Sequence, residues 1–66
     1  MRLLLNGEER DVADIVSIAD LVAALGLDAR KVAVERNLEI APRSTYADTA
    51  LNDGDRIEIV TFIGGG

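Results

Sequence analysis

Sixty-six residues make one small domain, and a 48% apolar fraction, nearly all aliphatic, is enough to fill one compact core. With no cysteine and no histidine, the chain has no disulfide, no thiolate metal site, no cysteine nucleophile and no ready acid–base group at neutral pH. Twelve acidic side chains against seven basic ones, a formal charge of −5, disfavour nucleic acid and anionic membranes as partners.

The chain opens on Met1-Arg2-Leu3-Leu4-Leu5, whose apolar run ends after three leucines. A signal core needs roughly 7–15 apolar residues and a membrane span ~20, so the cytoplasm is the expected location. Asn6-Gly7 then sits between Arg2–Leu5 and Glu8–Val12. That pair favours a type I′ turn, because both central positions need positive φ, and it predicts an opening β-hairpin.

A helix over Ile18–Leu25 has both ends marked. Ser17 is a good N-cap, and Asp20 follows three residues on, near the positive end of the helix dipole. Ile18, Leu21, Val22 and Leu25 form one apolar stripe at i, i+3, i+4 and i+7. Gly26 supplies a left-handed residue after the last turn, and Leu27 can fold back on it.

Lys31–Arg36 reads as a strand with Val32 and Val34 on one side. Asn37 begins a turn, and Glu39-Ile40-Ala41 is a short extended piece. Pro42 stops it and cannot donate to a ladder, which puts the piece at a sheet edge. Arg43–Leu51 shows no clear period, and a single helical turn over Thr45–Asp48 is the expectation. Asp53-Gly54-Asp55 is a turn, and a last strand runs from Arg56 to about Ile63.

Hairpin, helix, strand, short edge strand, turn and final strand make an α+β chain. The hairpin followed by a helical crossover to later strands gives one mixed sheet of four to five strands with one main helix on one face. That is the ubiquitin-like β-grasp arrangement, with Arg2–Leu5 and Arg56–Phe62 as parallel central neighbours. Composition alone leaves other small α+β folds open. The division is a globular 1–63 and a flexible glycine tail, 64–66.

Chemistry is scarce elsewhere. Ser17 and Ser44 have no base beside them in any recognisable pattern, and Glu8-Glu9 and Asp53-Gly54-Asp55 lack calcium-loop spacing, so no metal site is expected. No glycine-rich phosphate loop lies between a strand and a helix. Gly64-Gly65-Gly66 is different. Taken alone, triglycine also fits a frayed tail or a cloning remnant. Without Cβ, however, such a run can extend through a channel too narrow for other residues. The carboxylate at its tip, with an ordinary pKa near ~3.5, is anionic at neutral pH and a poor electrophile. It becomes reactive only as an acyl-adenylate, from which sulfur or an amine displaces AMP. A cysteine-free chain can then carry sulfur only as a C-terminal thiocarboxylate.

Several segments, in order along the chain, resemble the ThiS family, the sulfur carriers of thiamine thiazole biosynthesis. They are Asn6-Gly7-Glu8, Val32 through Asn37, Glu39-Ile40-Ala41-Pro42-Arg43-Ser44, and Asp53 through Val60 before the glycines. The Gly-Gly end alone is shared with molybdopterin-pathway carriers and ubiquitin-like modifiers. The resemblance implies a carrier that is not itself an enzyme and binds no cofactor. A ubiquitin-activating-type enzyme, using ATP and Mg²⁺, would adenylate Gly66, and thiazole synthase would consume the resulting thiocarboxylate. Gly65 and Gly66 match the family's terminal pair, and Gly64 extends it. Leu38 departs from the polar or small turn residue common in such carriers, and Phe62 is bulky beside the tail. The rival readings are a molybdopterin-pathway carrier, a lysine-conjugated modifier and an inert structural module.

The final strand also predicts a partner surface. Ile57, Ile59, Thr61 and Ile63 share one face, and Glu58, Val60 and Phe62 share the other, while one helix covers only one face. With the isoleucines inward, Val60 and Phe62 lie exposed near the tail. Leu4, out of phase with Leu3 and Leu5, is expected to join them in a docking patch.

Overall fold

The computed structural model describes residues 1–62. Within them, β1 (Arg2–Leu5) and β2 (Glu8–Asp11) form the opening hairpin, from Arg2 opposite Asp11 to Leu5 opposite Glu8. Asn6 and Gly7 close it with φ of 48° and 82°, the two positive values of a type I′ turn.

The helix α1 spans Ile18–Ala24, one residue shorter than the apolar stripe, because Leu25 serves as its C-cap. At its start the Ser17 hydroxyl accepts the Asp20 N–H, and the Asp20 carboxylate accepts the N–H groups of Val16 and Ser17. This is a capping box with Asp in the place usually held by Glu or Gln. Those two backbone donors hold the Asp20 carboxyl below its ordinary pKa. At the other end Gly26, with φ of 74°, donates to the Ala23 carbonyl, and Leu27 donates to that of Val22. Both bonds belong to the Schellman motif.

A short 3-10 turn, Ala29–Lys31, precedes β3 (Val32–Arg36), so Lys31 is not in the strand as its sequence suggests. Asp28 is responsible: its side chain accepts the Arg30 N–H and its carbonyl accepts the Lys31 N–H, a local alternative to the sheet ladder. A second two-residue turn, Asn37 and Leu38, leads into β4 (Glu39–Ala41). Leu38 has φ of 71°, which costs a residue with a Cβ about 1 kcal/mol. Pro42 ends β4, as expected. The helical turn predicted over Thr45–Asp48 is present, the Thr45 carbonyl accepting the N–H groups of Asp48 and Thr49, and a 3-10 helix over Arg43–Thr45 precedes it. The helical stretch starts earlier than expected because Pro42, fixed at φ −61°, presents its carbonyl to both the N–H and the hydroxyl of Thr45.

The last strand, β5 (Arg56–Thr61), completes a five-stranded mixed sheet of order β2-β1-β5-β3-β4. Parallel pairing joins β1 to β5, while β3 is antiparallel to both β5 and β4. Helix α1 covers one face, where Ile18, Leu21 and Val22 meet Leu3, Leu5, Val32, Val34, Ile57 and Ile59. Ile15, Tyr46 and Leu51 close the rim of this core. Burying each such large aliphatic side chain contributes roughly 1.5–3 kcal/mol, and that holds the short helix on the sheet.

Candidate functional site

The strand leading to the glycines is held on both sides by side chains from turns. Toward β1, backbone pairing ends with Leu5 opposite Ile57. Asn6 takes over: its N–H donates to the Ile57 carbonyl, its Oδ1 accepts the Ile59 N–H at 2.8 Å, and its Nδ2 donates to the Ile59 carbonyl at 3.3 Å. Toward β3, Asn37 holds Arg56 by two bonds, from its own N–H to the Arg56 carbonyl and from the Arg56 N–H to its Oδ1.

Asp55 ties these pieces together from the turn just before β5. Only 7% of the residue is exposed. Its Oδ2 accepts from Arg36 Nε at 2.9 Å and from the Asn52 N–H at 2.8 Å, and its Oδ1 accepts from Asn37 Nδ2 at 3.1 Å. Burial by itself raises the Asp55 carboxyl, but the Asn52 N–H, the Asn37 amide and the Arg36 guanidinium together hold it below its ordinary value. Sequence reasoning took Asn6, Asn37 and Asp55 for turn residues only. Their positions adjoining Gly or strand ends flagged the turns, but nothing local pointed to their distant partners.

With β5 so fixed, Ile57 and Ile59 face the helix while Val60 and Phe62 lie outward, 60% and 53% exposed. Ala33 stands directly opposite Val60, and the Phe62 N–H donates to the Lys31 carbonyl, so both apolar residues rest on β3 and the residue before it. Leu4 does not join them. The parallel register sets Leu4 opposite Arg56, four residues before Val60 and about 13 Å away along the strand. It lines instead a shallow groove of about 280 Å³ with Arg2, Glu9, Asp53 and Gly54. The outer face gains another residue that sequence reasoning passed over. Ile40 on β4 stands opposite Glu35, which itself stands opposite Glu58. Strict alternation from the inward Ala41 could have found it, but a three-residue strand carries too little pattern to rank.

Ile63, Gly64, Gly65 and Gly66 lie outside the described residues. Among the described residues, no group of three or more acidic side chains is placed to hold a metal ion, and no helix is long and apolar enough to cross a membrane.

Comparison with known proteins bears on what this strand delivers. The ThiS family model matches residues 3–66. A sulfur carrier protein ThiS of Bacillus subtilis is 45% identical over 65 residues, covering 97% of this chain and 98% of that protein. A thiazole synthase of Paramagnetospirillum magneticum is 59% identical over all 66 residues, and one of Magnetococcus marinus is 42% identical. The chain spans 20% of the length of each of these two relatives. The crystal structure of a thiamine biosynthesis protein (ThiS) from Geobacter metallireducens superposes with a TM-score of 0.84 at 36% identity, each chain being covered in full. Family model, full-length relative and solved structure agree, and the chain belongs to the ThiS family, the sulfur carriers of thiamine biosynthesis.

Proposed function

We propose that Gly66 carries sulfur as a glycyl thiocarboxylate and that thiazole synthase receives it. The observation that carries this reading is that the family match runs through Gly66 itself. An anionic Gly66 oxygen attacks the α-phosphorus of ATP, and pyrophosphate leaves, giving an acyl-adenylate. Sulfur at the sulfide level, as HS⁻, then adds to the acyl carbon, AMP departs with the C–O bonding pair, and loss of the S–H proton leaves the thiocarboxylate. ATP and Mg²⁺ belong to an adenylating partner of the ubiquitin-activating type, and the chain contributes the acyl group and its reach rather than catalysis. Gly65 and Gly64 supply that reach, since neither places a Cβ in a narrow channel. Chemistry that consumes ATP puts the work in the cytoplasm.

The outward pair Val60 and Phe62 is the handle by which the adenylating enzyme holds the globular part. Its nearness to the strand end that leads into the tail supports this role. Leu4 lies too far along the strand to share it.

Intact mass decides the matter. The native chain, incubated with adenylating enzyme, ATP and a sulfur source, exchanges one oxygen for one sulfur, and a version capped by a C-terminal amide does not. Sulfur gained by the amide, or never gained by the native chain, overturns the assignment.

A further inference from the structure

The chain builds two hairpins on two-residue turns with both φ values positive. The first uses Asn6-Gly7, and the second uses Asn37-Leu38. Glycine meets the second position without strain, whereas leucine at φ 71° does not. Burial gives nothing back, since Leu38 is 69% exposed, and Ile40 two residues on is 77% exposed. A strained residue that contributes nothing to the core points to a contact outside the chain.

Two side chains are far too little surface for a stable dimer, which needs about 800 Å² from each partner. The tip must therefore be one end of a larger footprint. The sheet supplies the rest, because Ile40 lies on the outer face with Val60 and Phe62. Glu35 stands between Ile40 and Glu58, directly opposite both. Two carboxylates facing each other across strands repel in the free chain. Arg56 meets only one of them, bonding Glu58 at 3.1 Å.

We propose that Leu38 and Ile40 anchor the docking of thiazole synthase, through an apolar pocket flanked by Arg or Lys that reaches Glu35. This rests on the function proposed above. The choice of occupant follows from the relatives that carry this domain within chains named thiazole synthase, most of whose length lies outside the match.

The test is a titration of the thiocarboxylate-free chain against purified cognate thiazole synthase, run beside thermal melts and the Gly66 sulfur-transfer assay. Leu38→Gly is expected to melt higher than wild type, and both Leu38→Gly and Ile40→Ser to bind the synthase about fivefold more weakly or worse. Sulfur loading of Gly66 is expected to stay unchanged in both. Raising the salt concentration should weaken wild-type binding, and Glu35→Gln should reduce that dependence. Wild-type binding that is absent, or equal in both variants, overturns the proposal while intact loading leaves the carrier assignment standing. A lower melting point for Leu38→Gly makes Leu38 a folding residue and also overturns it. Self-association lost in Leu38→Gly would seat a second copy at the tip instead. A native chain that never loads sulfur removes the carrier assignment, and this inference with it.

Discussion

The side chain of Asn6 completes a rung of the sheet for Ile59, fifty-three residues away, accepting its N–H at 2.8 Å and donating to its carbonyl at 3.3 Å. The amide imitates the next residue of β1 after the backbone has turned away into the hairpin. The same residue holds φ of 48° to make that turn. One position therefore sets both the hairpin and the course of the strand that leads toward the tail.

The two roles separate by substitution. Asn6→Gly keeps the backbone conformation and loses the two side-chain bonds, and should cost about 1 kcal/mol. Asn6→Ala loses the bonds and also strains the turn, for a total of about 2 kcal/mol. Urea unfolding midpoints with unchanged m-values check both. Equal losses in the two variants would show that the bonds to Ile59 contribute everything and the turn nothing.

Asp55 makes stability depend on acid. Its folded pKa lies below the unfolded value near ~3.9, so its contribution is fully present above that value. It is lost as pH falls through the lower, folded pKa. Asp55→Asn should therefore destabilise at pH 7 by about 2 kcal/mol and flatten the acid limb of the stability curve. Thermal melts between neutral pH and about pH 2 read both effects. A variant whose acid limb parallels that of wild type would assign the acid sensitivity to other carboxylates.

Val60→Asp and Phe62→Asp should each weaken binding to the adenylating enzyme while shifting the melt little, because both residues point away from the core. A buried site given an unpaired charge would instead lose several kcal/mol, on the order of a whole small domain's stability. Leu4→Asp is the control: its place opposite Arg56 predicts binding close to wild type. Equal binding by all three variants, with unchanged melts, would make the apolar pair incidental.

The proposed loading of Gly66 should depend on tail length more than on tail composition. Gly65→Ala keeps the carboxylate but adds a Cβ, so sulfur loading should slow without stopping. Deleting Gly66 moves the carboxylate back by about 3.5 Å, more than the ~3 Å approach that reacting atoms require, and should abolish loading. Time courses of intact mass distinguish the two, and loading by the shortened chain at the native rate would place the reactive carbonyl elsewhere.

Short-range chemistry was legible in the residues themselves. Asn6-Gly7 specifies its turn through φ, Ser17 and Asp20 specify a helix start through local hydrogen bonds, and Gly26 specifies its end. The alternation of Ile57 and Ile59 with Glu58 and Val60 was enough to say which face turns outward. These features depend on residues a few positions apart, and so did the element order that named the fold. Other features needed the folded chain. Arg36 and Asp55 are nineteen residues apart, and nothing near either one announces the pair. Leu4 was outward, as its phase required, yet the outward face is wide. Only the parallel register, fixed by burying Leu5 beside Ile57, set it opposite Arg56 and away from Val60. Alternation determines a side, but register is set by the packing of distant residues into one core, and that is a property of the whole sheet.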